Sequence, residues 1–430
     1  MSAFPPNRLP LGLEGPAALR RSLSGIGPDA GLVLIDLEGF GTVNLRDGFS
    51  AGDAVLLRTV AAFDAAVRSS GEGRAEHPVL RLAGDEFAVV LEGIGGDELG
   101  AVATAMTAAA ADASGLGACG AAVPVVRDDS GAIDVRRTVR DAGLALRAAR
   151  RAGSGSVRGA TDGGALTAAE EEDLEVRTLL RSGDIELHFQ PLVDPLTSRP
   201  IGVEALVRAR SSAGTVSGPG VFLPQVRRTG LSTELGTAII ADALARWEGR
   251  LRGALRAGGT SPEAWGPVLT VNVDAEQVEQ DGFDGLVLHL LERTEVPAEE
   301  LVLEVTEAVL GGAAARTRLQ RLRDAGVRVA IDDFGAGPVV LSEIRALPVD
   351  ILKVDQVLIG RLDPERPDVG LIEDLQRLAA LLGMQLAVEA VETPALAARI
   401  AELGVPIAQG YHYARPMPPD ELAGWLAGSG

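Results

Sequence analysis

Cysteine is nearly absent: Cys119 stands alone in 430 residues. One thiol excludes an internal disulfide framework and fits a reducing compartment. It lies in a Gly/Ala run, where a small buried packing residue is expected rather than a nucleophile. Net positive charge is lacking as well. Sixty acidic against 40 basic residues leave a formal charge of −20, which argues against broad binding to nucleic-acid backbones or anionic membranes. A phosphate-bearing substrate would have to be held by bound cations and a few placed arginines. No run approaches the roughly 18 apolar residues of a membrane span. Met1 to Pro16 carries Pro and Gly where a secretory signal needs an apolar core. A soluble, cytoplasmic protein is expected. Lysine is scarce beside arginine, which with the abundant Ala and Gly reads as the mark of a GC-rich genome. No short-period repeat is evident.

What is present begins with apolar content. Hydrophobic residues make up 46%, and the length suits two or three domains, each with its own core. In the first half Gly31 to Ile35, Val79 to Leu82, Phe87 to Leu91 and Ala118 to Val126 read as strands. Ala51 to Val67, Glu98 to Asp112 and Thr138 to Ala152 read as helices. That order predicts an α+β unit around an antiparallel sheet. Arg151 to Gly164 breaks the pattern with Gly and Ser and marks a flexible seam. The expected domains are 1–158, a linker over 159–170, and 171–430. A charged helix is expected over Glu170 to Ser182. From Ile185 onward strands and helices alternate, which predicts a (β/α) barrel and an α/β class for the chain.

Six acidic strings punctuate that second half, most of them directly after an apolar run. They are Glu204-Ala205-Leu206, Asn272-Val273-Asp274, Glu304-Val305-Thr306-Glu307, Ile331-Asp332-Asp333-Phe334-Gly335, Lys353-Val354-Asp355 and Glu389-Ala390-Val391-Glu392. One such string is an ordinary solvated loop. Several at successive strand ends gather oxygen ligands at one barrel mouth, a cluster too costly without cations. Glu204, Asn272, Glu304 and Asp332 offer the oxygens that Mg²⁺ or Mn²⁺ prefers. Asp333 makes a carboxylate bridge between two cations feasible, and two cations about 3.5–4 Å apart can activate water and stabilise the leaving oxygen of a phosphodiester. Lys353 would orient that water or stabilise phosphoryl charge. Glu389 would accept its proton or ligate the second metal. No histidine occupies these strand ends, which argues against a His-based zinc site.

The strings resemble the EAL family, phosphodiesterases that open the bacterial messenger cyclic di-GMP to linear pGpG. The likeness covers about Glu170 to Trp425, with the motifs in the family's order. His188-Phe189-Gln190-Pro191-Leu192-Val193-Asp194 matches its opening, Glu204-Ala205-Leu206-Val207-Arg208 the name-giving motif, and Ala408-Gln409-Gly410-Tyr411 through Arg415-Pro416 its close. The resemblance implies a modified (β/α)8 TIM-like barrel with two Mg²⁺ or Mn²⁺ ions per site. Glu204, Asn272, Glu304 and Asp332 would hold one; Asp332, Asp333 and Glu389 would hold or serve the other. Lys353 would contact the nucleophilic water, and Glu307 would brace the loop after Asp333. Gln190, Leu206, Arg208, Asp355, Gln409, Arg415 and Pro416 would bind substrate, with Arg208 on a phosphate. A homodimer through this domain is a further implication. The loop Phe334-Gly335-Ala336-Gly337-Pro338-Val339-Val340-Leu341 departs from the family's Phe-Gly-Thr-Gly-Tyr-Ser-Ser-Leu. It loses three hydroxyls and gains a rigid proline, which bears on both metal positioning and dimerisation. Asp274 for Ser and Ala209 for Trp are peripheral.

In the first half, Arg81-Leu82-Ala83-Gly84-Asp85-Glu86-Phe87 sets two acids in a turn between strands, and Leu34-Ile35-Asp36-Leu37-Glu38 ends another strand with two more. With Asn44 and Gly52-Asp53 they resemble the GGDEF family of diguanylate cyclases over about Asn7 to Gly155. The resemblance implies a nucleotidyl-cyclase-like fold in which Asp36 and Glu86 hold metal, Asp85 aids deprotonation, and Asn44 and Asp53 read guanine. Ala83 replaces the motif's first Gly, Gly41 an expected Lys, Phe49 a His, and Arg150 a Lys. Gly153-Ser154-Gly155 lacks the family's Arg, and Arg74-Ala75-Glu76-His77 lacks the Asp of its product-inhibition motif. Losing two cations from the site of a −4 ligand should cost a few kcal/mol. The domain is therefore expected to be a degenerate, regulatory module, with or without GTP bound. The leading expectation is a cyclic di-GMP phosphodiesterase. Its competitors are a non-catalytic cyclic di-GMP receptor and a bifunctional cyclase/phosphodiesterase.

Overall fold

The computed structural model describes residues 12–27, 29–69, 78–162, 164–211, 213–258, 267–334, 347–354 and 369–428. By packing they fall into two compact units, one from 1–186 with 208–238 and the other from 187–207 with 239–430.

The first unit contains helix α1 (Glu14–Ser24), strand β1 (Ala30–Glu38), helices α2 (Phe40–Asp47) and α3 (Phe49–Ser69), and strands β2 (Leu80–Ala83) and β3 (Glu86–Glu92). Helix α4 (Gly96–Ser114), strand β4 (Gly117–Pro124), helix α5 (Val135–Ala152), strand β5 (Val157–Gly159) and helix α6 (Ala168–Arg181) follow. The sheet order is β2-β3-β1-β4-β5, with β1 antiparallel to both neighbours. Side chains alternate across the central strand. Leu32 and Leu34 enter a core that includes residues of α1 and α5, while Val33, Ile35 and Leu37 enter one that includes residues of α3 and α4. Burial on both faces explains the unbroken apolar run. The Gly/Ser stretch expected to be patternless instead holds β5, parallel to β4. Gly153 and Gly155, both at positive φ, turn the chain so that Val157 pairs with Gly120. Helix α6 opens on a capping box in which Thr167 and Glu170 satisfy each other's backbone amides.

The barrel is built from β6 (Ile185–Val193), β7 (Pro200–Arg210), β9 (Val268–Asn272), β10 (Leu301–Thr306), β11 (Arg328–Asp332), β12 (Ile351–Val354), β13 (Gln385–Val388) and β14 (Ile407–Ala408). A short β8 (Val216–Ser217) hangs on β7. The strands run β6-β14-β13-β12-β11-β10-β9-β7, and pairing of β6 with β7 closes the circle. Seven strands are parallel, whereas β6 is antiparallel to β14. One apolar residue from each strand makes an interior layer: Leu192, Ile201, Val268, Val302, Ala330, Ile351, Ala387 and Ile407. Each fully buried large aliphatic there contributes roughly 1.5–3 kcal/mol. No helix among the described residues is long and apolar enough to cross a membrane.

Candidate active site

Strand alternation carries the site up from that apolar layer. Two residues beyond Val302, Ala330, Ile351, Ala387 and Ile407 come Glu304, Asp332, Lys353, Glu389 and Gln409. Glu204 stands two beyond Gly202, the register partner of Val268, and pairs in turn with Thr270. On the reversed strand β6 the step is taken backward, from Leu192 to Gln190. A period of two therefore puts one polar side chain from seven strands onto the next layer toward the mouth, whereas on β7 Glu204 is reached from Gly202, one position past Ile201. The expected strand ends hold to within a residue for β9, β11 and β13. Glu304 and Lys353 instead lie inside β10 and β12, and Glu204 lies inside β7, which continues to Arg210 as a hairpin with β8.

Lys353 is the hub of this layer. Its ammonium lies 2.7 Å from Glu304 Oε2, 3.6 Å from Asp332 Oδ1 and 3.8 Å from Glu204 Oε2, and it bonds Glu389 Oε1. It is 3% exposed. Burial works against its charge, but the surrounding carboxylates overrule it and hold its pKa well above the ordinary lysine value. Burial, repulsion from Glu204 and attraction by Lys353 act together on Glu304, with a net upward shift. Burial pushes Glu389 up to about 7 against the pull of Lys353. Lys353 is the chain's only lysine, the other 39 of its 40 basic residues being arginine. The scarcity read as genomic bias was therefore a usable signal. Where arginine serves everywhere else, a compact ammonium is kept at one buried point.

Amides hold the remaining acid. Asn272 Nδ2 donates to Glu204 Oε1 at 2.8 Å, and Gln409 Nε2 donates to Glu204 Oε2 at 2.7 Å and to Gln190 Oε1 at 3.2 Å. Gln190 donates in turn to the Ala414 carbonyl at 3.0 Å. Gly410 is required by a close approach: a Cβ there would stand 2.2 Å from the Val391 backbone nitrogen and oxygen. Asp333 and Ala390, which directly follow Asp332 and Glu389, have φ of 52° and 50°. Two non-glycine residues in the left-handed region beside site carboxylates are backbone strain placed where chemistry would use it.

A cavity of about 310 Å³ opens over these groups, lined by Gln190, Glu204, Leu206, Asp332, Lys353 and Glu389, then Gln409 and Tyr411 among others. Arg415 is exposed, with its guanidinium 4.2 Å above the Tyr411 ring, and Pro416 beside it is half-buried. Asn272 and Asp333 are exposed at their strand ends, Arg208 is half-buried, and Glu307 is buried at the start of a 3-10 turn. Asp355, the loop from Gly335 to Leu341, Asn7 and Arg74 to His77 lie outside the described residues. Tyr411 was missed as a site residue. An aromatic next to an obligatory glycine, in a chain with 3% aromatics, was the signal.

The donor set suits a hard divalent cation. Glu304 Oε1 and Asp332 Oδ1 are buried without a hydrogen-bond partner, and carboxylate, amide and carbonyl oxygens are the ligands such ions take. Among the described residues no three acidic, His or Cys side chains form a ready cation cage; the acids are drawn to the Lys353 ammonium instead.

In the first unit, Asp36 and Glu86 are register partners on β1 and β3. Each bonds an arginine. Arg150 grips Asp36 at 2.5 and 3.0 Å, and Arg181 meets Glu86 Oε2 at 2.6 Å. Burial, then the Asp36 charge, push Asp85 up to about 7. Asn44 lies over Gly52, where a Cβ would stand 1.9 Å from its Oδ1; Asp53 is half-buried on α3. Cys119 is fully buried and free, and burial raises its thiol to about 11, as suits a packing residue.

The family model described as EAL domain matches residues 173–416, more than half of the chain. The chain belongs to the EAL domain family. A second model, for the diguanylate cyclase GGDEF domain, matches residues 6–155, so the two domains stand in tandem. The bifunctional diguanylate cyclase/cyclic di-GMP phosphodiesterase MucR of Pseudomonas aeruginosa is 28% identical over 92% of this chain and 57% of its own length. An uncharacterized protein of Mycobacterium tuberculosis is 35% identical over 57% of this chain and 79% of its own. The chain spans between 51% and 63% of the length of the relatives that it matches nearly throughout. Among solved structures, the PaMucR phosphodiesterase in complex with c-di-GMP has a TM-score of 0.53 at 30% identity, covering 59% of this chain and 99% of that one. The EAL enzyme Bd1971, in a form bound to cAMP and cyclic-di-GMP, has a TM-score of 0.55 at 23% identity, covering 60% and 69%. That second likeness concerns the fold of the EAL barrel alone.

Proposed function

We propose that the EAL barrel hydrolyses cyclic di-GMP to pGpG with two Mg²⁺ or Mn²⁺ ions, and that the GGDEF-like half regulates it. The observation that carries this reading is the polar layer in which four carboxylates meet one ammonium below an open cavity. In this reading Glu204, Asn272, Glu304 and Asp332 hold one cation, while Asp332, Asp333 and Glu389 hold or serve the other. The bound cations would supply an activated water and neutralise charge on the phosphodiester. Lys353, kept protonated by its neighbours, donates to the attacking water or to a phosphoryl oxygen. Glu389, with its carboxyl near neutrality, accepts the water's proton. Gln409 and Asn272 keep both oxygens of Glu204 aimed. Arg208, Arg415, Leu206, Gln190, Pro416 and Asp355 bind substrate, and Tyr411 offers a face for a guanine.

The first half is taken as a GTP-responsive module without cyclase turnover, the functional seam falls at 159–170, and the barrel dimerises. A cytoplasmic setting agrees with the single free thiol. The test is purified protein with cyclic di-GMP and Mg²⁺ or Mn²⁺, followed for pGpG. Tight binding without turnover would instead identify a receptor. Product formation that survives Glu204→Ala would show that the cation-site assignment is wrong. Cyclic di-GMP made from GTP and abolished by Asp85→Ala would establish a bifunctional enzyme.

A further inference from the structure

The GGDEF-like half presents a carboxylate pair that its family resemblance assigns to metal, yet both members are already engaged by cations of the chain itself. Arg150 takes Asp36 with two hydrogen bonds. Arg181 reaches Glu86 from α6, 95 positions away in sequence, and the two side chains are 7% and 8% exposed. Helix α6 lies beyond the segment matched by the GGDEF model, and from residue 173 onward, Arg181 included, it lies within the one matched by the EAL model. We propose that Arg150 and Arg181 are the resident cations of the Asp36/Glu86 pair, which serves as a clasp for α6 rather than as a divalent-metal site.

Three further observations bear on this. Gly143, inside α5, leaves the path open: a Cβ there would stand 3.0 Å from Arg181 Nη1 and 3.0 Å from Leu174 Cδ1. A glycine in a helix interior is unfavourable against alanine, and here the missing side chain gives Arg181 and α6 their room. The end of α6 is bolted down as well. Asp184, 1% exposed, pairs with Arg20 and with Arg136 at 2.7 Å, and Ser182 donates to it. The helix start is tied by Glu170 to Arg147 and Arg151 and by Glu171 to Arg140.

An anion site is the rival reading, because a cavity of about 100 Å³ is lined by Arg147, Arg150, Arg177 and Arg181. Each of the four already has an acidic partner: Glu170, Asp36, Asp173 with Glu234, and Glu86. The cluster is thus neutralised from within. Glu86 Oε1 accepts no hydrogen bond, so a count of bound cations decides the matter.

That count is made on the full chain by titrating Mn²⁺ and following free Mn²⁺ by electron paramagnetic resonance. Asp36→Asn should leave the number bound per chain unchanged. Arg181→Met should gain one equivalent, and the gain should vanish in Arg181→Met/Asp36→Asn. A wild-type equivalent lost in Asp36→Asn overturns the proposal, as does Arg181→Met without a gain. Hydrogen exchange gives a second readout that needs no metal. Glu86→Gln and Arg181→Met should each speed exchange of the α6 amides at least tenfold, and Arg181→Lys should restore most of the protection. Unaltered exchange in Glu86→Gln would sink the clasp. Turnover of cyclic di-GMP is measured separately, so its absence would weigh against the phosphodiesterase reading and leave both results standing.

Discussion

Lys353 sets what can be asked of single residues. Replacing it with Met removes the one cation that the described residues place among Glu204, Glu304, Asp332 and Glu389, so the acids are left to repel one another in a buried layer. Turnover should fall by roughly 10²–10⁴, the usual contribution of a placed proton-transfer group. The melting temperature in chelator should fall too, and Mn²⁺ should restore part of it. Because the chain has no other lysine, a Nζ-¹⁵N-lysine label yields one side-chain signal, and cation loading should shift it. Asp85 and Glu389 predict a pH dependence. Both carboxyls stand near 7 in the folded protein, against ordinary values of 3.8 and 4.5. Below about pH 4 both states are protonated, and between there and 7 the folded state holds more protons. Stability in chelator should therefore decline as pH rises through that window. Urea titrations at pH 5 and 7.5 read the difference, and Asp85→Asn should flatten it.

At the scale of elements, the barrel strands were the most legible part of the sequence. Their apolar runs are short and each ends near a polar residue that alternation carries inward, so β9 to β13 fall close to where the pattern puts them. The reversed β6 was not legible, because periodicity gives which face a residue occupies and not the direction of the strand. Nor was β5: three residues flanked by glycines carry no period, and only pairing with β4 makes them a strand. The site was legible wherever an acid followed an apolar run. It was not legible for Tyr411, or for the arginines that meet Asp36 and Glu86 across long sequence separations. The link from β14 to the mouth gives the prediction at this scale. Gly410→Ala must displace the Val391 backbone, at about 1–3 kcal/mol for an overpacked core. Since Gln409 is its neighbour and donates to Glu204, cation affinity should drop along with the urea midpoint, both measurable on one preparation.

For the molecule as a whole, two compact units imply that unfolding need not be two-state. Cations should protect only one of them. Mn²⁺ at 100 times its dissociation constant adds about 2.7 kcal/mol to whatever binds it. The barrel transition in a urea or thermal scan should therefore move while that of the first unit stays put; movement of both would count against the arginine clasp as well. Tandem order was readable from motifs because each motif is local. How α6 is held was not, since Arg181 and Glu86 are brought together by the fold of the first unit alone. The ammonium within the carboxylate layer has one more consequence, for the order of events during synthesis. Many small metal domains stay unfolded until their ion arrives, because nothing else neutralises the ligands. Here Lys353 offsets part of their repulsion from the start, so on the two-cation reading proposed above the nascent barrel can close first and take up metal afterwards, from whichever pool of ions it meets.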